Sequence, residues 1–367
     1  MRRWDVRDVA LGLAAPLLAV AFSLVIASLV LIGAGDPVLS TYSLLLDYGQ
    51  RPRSLALVLN AATTYYLSAL AVAIGFRMNL FNIGVDGQYR LAAMTAAWVG
   101  GAVTLPTGLH QLVIVLVAVL VGGMWAGIAG LLKATRGVSE VISTIMLNAI
   151  ATGLVAFFLR KVAVPVAGSN NIGTAPIAES GRVGGLPLVP DSALEVFGFL
   201  PVAVLAGIAY WLVLGRTRFG FELRATGRSE SAAVASGVDV RRMVVTTMLL
   251  SGAVAGLVGM PQLLGASYSY SLDFPAGLGF TGIAIALLGR NSPIGIAFGA
   301  LLWAYLDVSS VILDIEGISR EIVTIMQGSI VLSVVIAYEL VRRYRLRAEQ
   351  SRVGRELAQA PRAEVAA

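Results

Sequence analysis

The chain has 367 residues, 57% of them hydrophobic and only 13% charged, with a mean hydropathy of +0.83 and a net charge of +6. A soluble domain of this length needs far more surface charge, so the composition describes an integral membrane protein. The absence of cysteine excludes disulfides, thiol chemistry and cysteine-based metal sites, and the basic residues argue against a nucleic-acid partner because they fall between and after apolar runs.

Several apolar stretches exceed the roughly 18 to 20 residues that a helix needs to cross a ~30 Å hydrocarbon core. Ten-residue alternating segments, the mark of a membrane barrel, are absent. The expected fold is therefore all-α and polytopic, with about ten transmembrane helices at 9–33, 54–76, 88–105, 110–132, 140–159, 196–214, 243–264, 278–289, 293–312 and 321–340. The first follows the positive start MRRWDVRD; its apolar run is too long for a signal peptide and no small-residue cleavage site follows, so it reads as a retained helix. Residues 1–8 are then a cytoplasmic tail, 9–340 the transmembrane domain and 341–367 a basic cytoplasmic tail at an anionic leaflet.

With both termini inside, 21 of the 27 Lys and Arg residues fall on the cytoplasmic side, including those of segment 76–90. That asymmetry supports the orientation and an even number of spans. Ten spans divide into two halves of five, and an odd number per half forces the halves into opposite orientations, as in an inverted repeat. TTYYLS at 63–68 resembles TTMLLS at 246–251, in spans two and seven, although so biased a composition also yields such matches by chance.

Between spans two and three lies FNIGVDGQ, residues 81–88, whose polar groups lipid cannot solvate. A plain internal turn is one reading. The other is a broken start to span three, at membrane depth beside a transport path, where Gly84 and Gly87 permit unusual backbone and Asn82, Asp86 and Gln88 hold the break closed or meet solute. A proton-carrying Asp86 would not tolerate Asn; a structural one would, because Asn keeps an acceptor oxygen.

Further along, residues 161–195, rich in Gly, Pro and Ser, form an external loop, and 215–242 form the largest internal one. In the latter, SESAAVASGVD has the content of a short helix capped by Ser229, with a small-residue face of Ala232, Ala233 and Ala235 and a stop at Gly237. Such a knob suits docking into a partner's groove; an ordinary basic loop on the membrane surface is the alternative.

No GxxxxGK[ST] pattern occurs, so there is no cradle for ATP phosphates. LSGAVAG at 250–256 lies inside a span, where small residues permit close helix packing. The lone His110, at an external span edge, suits an interfacial or capping role, and a single His supports no catalytic or metal cluster. Enzymatic activity is not expected. Carboxylates within spans are few, Asp86 and Asp307, while Glu140, Glu321 and Glu339 lie at span ends; proton coupling is thus poorly supported, and sodium coupling through backbone and Asn or Ser oxygens survives. With no Arg or Lys read inside a span, a neutral or zwitterionic hydrogen-bonding solute fits. Asn60, Tyr65, Tyr66, Asn148, Gln262, Tyr268 and Tyr270 together suggest a polar, aromatic-lined path, although each is individually explicable as interhelical glue.

Four separated motifs resemble a known family. They are FNIGVDGQ at 81–88, STIMLNAIA at 143–151, the stretch from GRTRFGFELRATG through SAAVASGVDV to LSGAVAGLVG at 215–259, and GLGFTGIAIALLGRNSPIG at 277–295. Together they resemble the permease subunits of bacterial ABC importers for simple sugars, nucleosides and branched-chain amino acids. The octet and the MLN motif look most like the nucleoside branch. Two departures stand out: Asp86 stands where Glu is commoner, and Arg228 to Glu230 replace an Asn-containing approach to the double Ala.

The resemblance implies a bacterial plasma-membrane importer subunit that translocates a small polar solute by alternating access. Asn60, Tyr65, Tyr66, Asn82, Asp86, Gln88, Asn148, Gln262 and Tyr268 are its candidate pathway residues. It implies a coupling helix at about 229–238, with Arg224, Ser229, Glu230, Ala232, Ala233, Ser236 and Gly237 at the contact with a separate ATPase subunit that carries ATP and Mg. No cofactor is expected on this chain. A second homologous permease, forming a heterodimer in preference to a homodimer, and an external substrate-binding lipoprotein complete the implied partners. A sugar permease such as one for ribose, an ion-coupled carrier and a non-transporting scaffold are the alternatives.

Overall fold

A computed structural model describes residues 6–166 and 170–359. The first five residues of the expected N-terminal tail, residues 167–169 of the external loop and the last eight of the basic tail lie outside the described residues. Each of the ten predicted spans falls on a helix. In chain order these are α1 (Val6–Ala34), α3 (Pro52–Phe76), α4 (Val85–Ala102), α5 (Leu109–Arg136), α6 (Glu140–Val162), α7 (Leu200–Arg216), α10 (Val240–Leu257), α12 (Leu278–Leu288), α13 (Pro293–Ile315) and α14 (Glu321–Gln359). Four further helices are α2 (Val38–Gly49), α8 (Arg218–Arg228), α9 (Glu230–Ala235) and the three-residue α11 (Met260–Gln262). Among the described residues, five helices are long and apolar enough to cross a membrane alone, or up to seven spans when bent pairs are joined. α4, with its polar first turn, and the 11-residue α12 fall outside that set, and α12, about 16 Å long, is too short to cross the hydrocarbon core by itself.

Two helices differ from the expected spans. α2 lies between the first two expected spans, in a segment with too few apolar residues for a span of its own. α14 does not stop at 340, because no proline interrupts it before Pro361 and nothing else forces the chain out of helix.

The chain divides into two compact units. In the unit of residues 1–43 and 313–367, α1 pairs with α14. The Ser23 hydroxyl lies 2.9 Å from that of Ser329 and donates to the Met326 carbonyl, a polar contact within an otherwise apolar seam of Ala27, Leu31, Met326 and Ile330.

In the unit of residues 44–312, α3 is the central element. Pro52 opens it at a position where a missing N–H costs nothing, and every residue from Leu67 to Gly75 is buried. α7, α10 and α12 pack around it. α10 also lies against α5, and there the small residues of LSGAVAG meet Gly122: a Cβ on Gly122 would stand 2.8 Å from the Gly256 nitrogen. Backbones this close are available only where neither helix carries a side chain, which is how van der Waals packing holds helices together in lipid. α4 is sandwiched between α5 and α6.

Residues 163–166 and 170–199 cover one end of this unit. A two-residue ladder, Val164–Pro165 with Ile172–Gly173, and bridges to Ser271 and within 186–196 give the segment its shape. His110 is fully buried beneath it, with Nδ1 2.9 Å from the Ser180 hydroxyl and Nε2 3.0 Å from the Gly100 carbonyl. It staples the covering segment to the end of α4.

Candidate functional site

The octet is a short turn followed by the first turn of α4, which begins at Val85 rather than at 88. Its side chains close on one another. Asn82 and Gln88 exchange amide hydrogen bonds, Asn82 Nδ2 to Gln88 Oε1 at 3.0 Å and Gln88 Nε2 to Asn82 Oδ1 at 2.8 Å. Asn82 Oδ1 also accepts from the Gly84 N–H, and its Nδ2 donates to Ser251 on α10 at 2.8 Å. Ser251 in turn donates to the Ala71 carbonyl of α3. From α6, Asn148 donates to the Ile83 carbonyl and accepts from the Gly87 N–H, both at 2.9 Å. Asn82 and Gln88 are each 1% exposed, so the hydrogen-bonding capacity of Asn82 is filled entirely inside the protein. That is the condition under which irregular backbone persists away from water.

The depth of the break follows from α6. Glu140, at its first residue, accepts from the Phe81 N–H and pairs with Lys133 at 2.6 Å. Asn148 lies eight residues further on, about 12 Å along the helix. The octet therefore climbs from the helix end toward the middle of the bundle. There α4 meets α12: Asp86 Oδ1 accepts from the Gly279 N–H at 3.4 Å, Ser68 donates to the Leu278 carbonyl and Tyr89 to the Pro275 carbonyl, each at 2.7 Å. α4 and α12, the helices of the third and eighth expected spans, thus begin side by side.

One residue corrects the sequence reading. The internal segment 76–90 and the expected span 88–105 overlap at Arg90, which the reading of spans without Arg passes over; α4 starts at Val85, and Arg90 sits in its second turn. It pairs with Asp86 at 3.9 Å and donates to Thr152 of α6 at 3.2 Å. An i to i+4 Asp and Arg pair was the signal that could have found it.

The other candidate pathway residues are dispersed. Asn60 on α3 donates to the Glu195 carbonyl and accepts from the Phe197 N–H at 2.6 Å, tying the covering segment down. Tyr65 donates to Asp307 of α13 at 2.8 Å. Tyr66, a helix face away, lines a cavity of about 530 Å³ with Ala62, Gly207, Trp211, Ile294 and Ala297, an almost wholly apolar setting. Gln262 is half-buried in α11, just before a π-helical turn at Leu263–Ser267, and Tyr268 follows in the left-handed region at φ 51° with the Arg182 guanidinium 4.5 Å from its ring centre. Tyr270 stacks on Phe274 at 4.7 Å. The structure thus gathers Asn82, Asp86, Gln88 and Asn148 into one place and leaves Asn60, Tyr65, Tyr66, Gln262 and Tyr268 apart from it. Among the described residues, no three His, Asp or Glu side chains gather as a metal site.

Segment 215–242 forms two consecutive helices. Thr217 caps α8 by accepting from the Gly220 N–H, and the Ser229 hydroxyl caps α9 by accepting from the Ala232 N–H at 3.3 Å. Gly237, at φ 81°, ends α9 where other residues would be strained. Glu230, Ala232, Val234 and Ser236 are exposed, Arg224 on α8 is half-buried, and Ala233 is buried at 2% exposure. α8 rests on the turn after α3: Asn79 donates to the Gly227 carbonyl at 2.7 Å. Arg77, beside it, donates through Nη2 to the Asn291 carbonyl at 2.7 Å, and Tyr210 of α7 donates to the same oxygen.

Comparison with known proteins places these features. A family model described as "Branched-chain amino acid transport system / permease component" matches residues 54–335. The guanosine ABC transporter permease protein NupP of Bacillus subtilis is 36% identical over 89% of this chain and 93% of its own length. The glucose ABC transporter permease protein TsgB13 of Haloferax volcanii is 31% identical over 90% and 89%. The nucleoside ABC transporter permease protein NupB of Lactococcus lactis is 29% identical over 88% and 90%. No solved structure matches the chain.

Proposed function

Because the chain belongs to the branched-chain amino acid transport system permease family, we propose that it is the membrane-spanning subunit of an ABC importer for nucleosides. The observation that carries the substrate is the near full-length similarity to a guanosine permease, supported by the second similarity to NupB. The glucose permease relative favours a second reading, a sugar importer of the same architecture.

In this reading an external binding lipoprotein delivers the solute to a pathway between this chain and a homologous permease. The chain's similarity to both NupB and NupC of one organism supports a heterodimer. A separate subunit hydrolyses ATP with Mg, and its energy enters at α9. Exposure on all but one face and caps at both ends make α9 a rigid peg that a groove can grip. Gripping it biases one access state over the other, because a partner shifts a conformational equilibrium only through differential affinity. Both termini and α9 then lie in the cytoplasm, in accordance with the distribution of Lys and Arg.

Uptake of radiolabelled guanosine, in cells deleted for this chain and complemented with it, tests the reading. Complementation should restore guanosine accumulation that collapses when ATP is depleted with the ion gradients maintained. Restoration of glucose uptake alone would replace the nucleoside reading, and uptake that follows an ion gradient without ATP would sink the importer assignment.

A further inference from the structure

Arg90 poses a problem that its neighbours do not solve. Thr152, the hydroxyl it donates to, is the thirteenth residue of α6, about 18 Å from the Glu140 end and about 15 Å from the Val162 end. Neither end is within reach of an arginine side chain, so the guanidinium cannot snorkel to a membrane surface. Its side chain is nonetheless 22% exposed, and Thr152 is exposed. A charged group at this depth does not face hydrocarbon; it faces the interior of an assembly or water.

The hydrogen bonding points to what it meets. Asp86, at 3.9 Å, balances the charge but stands too far for a direct hydrogen bond. Thr152 takes one N–H, the Tyr270 side chain is a second hydrogen-bonding partner, and the Arg90 Nε is buried with no acceptor. A charge-neutral pair with donors left over suits a solute that carries acceptor oxygens and nitrogens but no net charge.

We propose that Arg90 and Thr152 face an aqueous solute pathway near the middle of the membrane, and that Arg90, charge-balanced by Asp86, hydrogen-bonds the acceptor atoms of a neutral solute such as a nucleoside. The face of α4 and α6 that carries them is accordingly the wall of the pathway. The inference rests on the importer reading, and it adds a residue that sets solute affinity.

The chain contains no cysteine, so a single thiol in it is unique. Thr152→Cys in the full chain, in membranes of cells expressing the importer, should react with the charged reagent methanethiosulfonate ethyltrimethylammonium. Leu116→Cys, on the exposed apolar face of α5, should not. Absence of modification at Thr152→Cys, both with and without ATP and guanosine, would overturn the proposal. Labelling needs no knowledge of the solute, so failure here is distinct from failure of wild-type guanosine uptake, which would sink the nucleoside reading instead. For solute contact, Arg90→Gln should raise the KM for guanosine about tenfold or more with Arg90→Lys intermediate, and Asp86→Asn combined with Arg90→Gln should not repair it. A double variant with wild-type KM would mean that the pair is only structural and would overturn Arg90's role.

Discussion

Asn79 holds the Gly227 carbonyl at 2.7 Å, and through that bond the end of α8 is fixed to the turn that leads into FNIGVDGQ. The contact joins the segment proposed to receive force with the segment that sets the start of α4. Gly227 is seated so closely that a Cβ there would stand 2.8 Å from the Met78 Cα. Replacing Asn79 with Ala, or Gly227 with Val, should leave ATP hydrolysis by the assembled importer intact while guanosine uptake falls about tenfold, the effect of ~1.4 kcal/mol in state preference. Measuring both rates on the same membranes checks this; an equal fall in both would mean that the contact does not transmit.

The two alanines of α9 should behave differently. Ala232 is exposed and Ala233 is 2% exposed. Ala232→Arg should abolish co-purification of the ATPase subunit and uptake at unchanged membrane levels of the chain. Ala233→Arg forces a charge among packed side chains and should lower the amount of folded chain as well. Quantitative blotting beside pull-down separates the two, and undiminished uptake by Ala232→Arg would remove α9 from the coupling contact.

Asn82→Ala should destabilise the fold without touching any partner. It strands the Gln88 amide and removes a hydrogen bond from Ser251, each stranded buried group costing about 1–3 kcal/mol. A lowered Tm of the detergent-solubilised chain is the readout. Asn82→Asp keeps the acceptor but loses the amide donors, and should be worse than a conservative change suggests.

Gly122→Val should separate α5 from α10, because the added side chain meets the Gly256 backbone. Overpacking of about 1–3 kcal/mol or more is expected, read as loss of folded protein in fluorescence size-exclusion profiles. Gly153→Ala, at a position with nothing within 4 Å, is the matched control and should be neutral.

The apolar runs put each expected span on a helix, because the cost of exposing backbone to lipid leaves a membrane chain few choices and makes each choice local. Local signals likewise gave Ser229 and Gly237 as the limits of α9, and the small residues of 250–256 as a packing surface. What a polar residue inside a span does was not legible, because it depends on partners far apart in sequence. Asn82 meets Ser251, Asn148 meets Gly87 and Asn60 meets Phe197 only once the helices pack. Arg90 shows the same limit: the internal segment 76–90 and the expected span 88–105 both contain it, and only packing sets Asp86 and Thr152 beside it in the second turn of α4. The sequence determined by itself that this chain is helical and crosses the membrane many times. Tertiary structure decided which polar groups are sealed within the protein and which face outward, because burial and hydrogen-bond pairing are properties of packed surfaces rather than of segments.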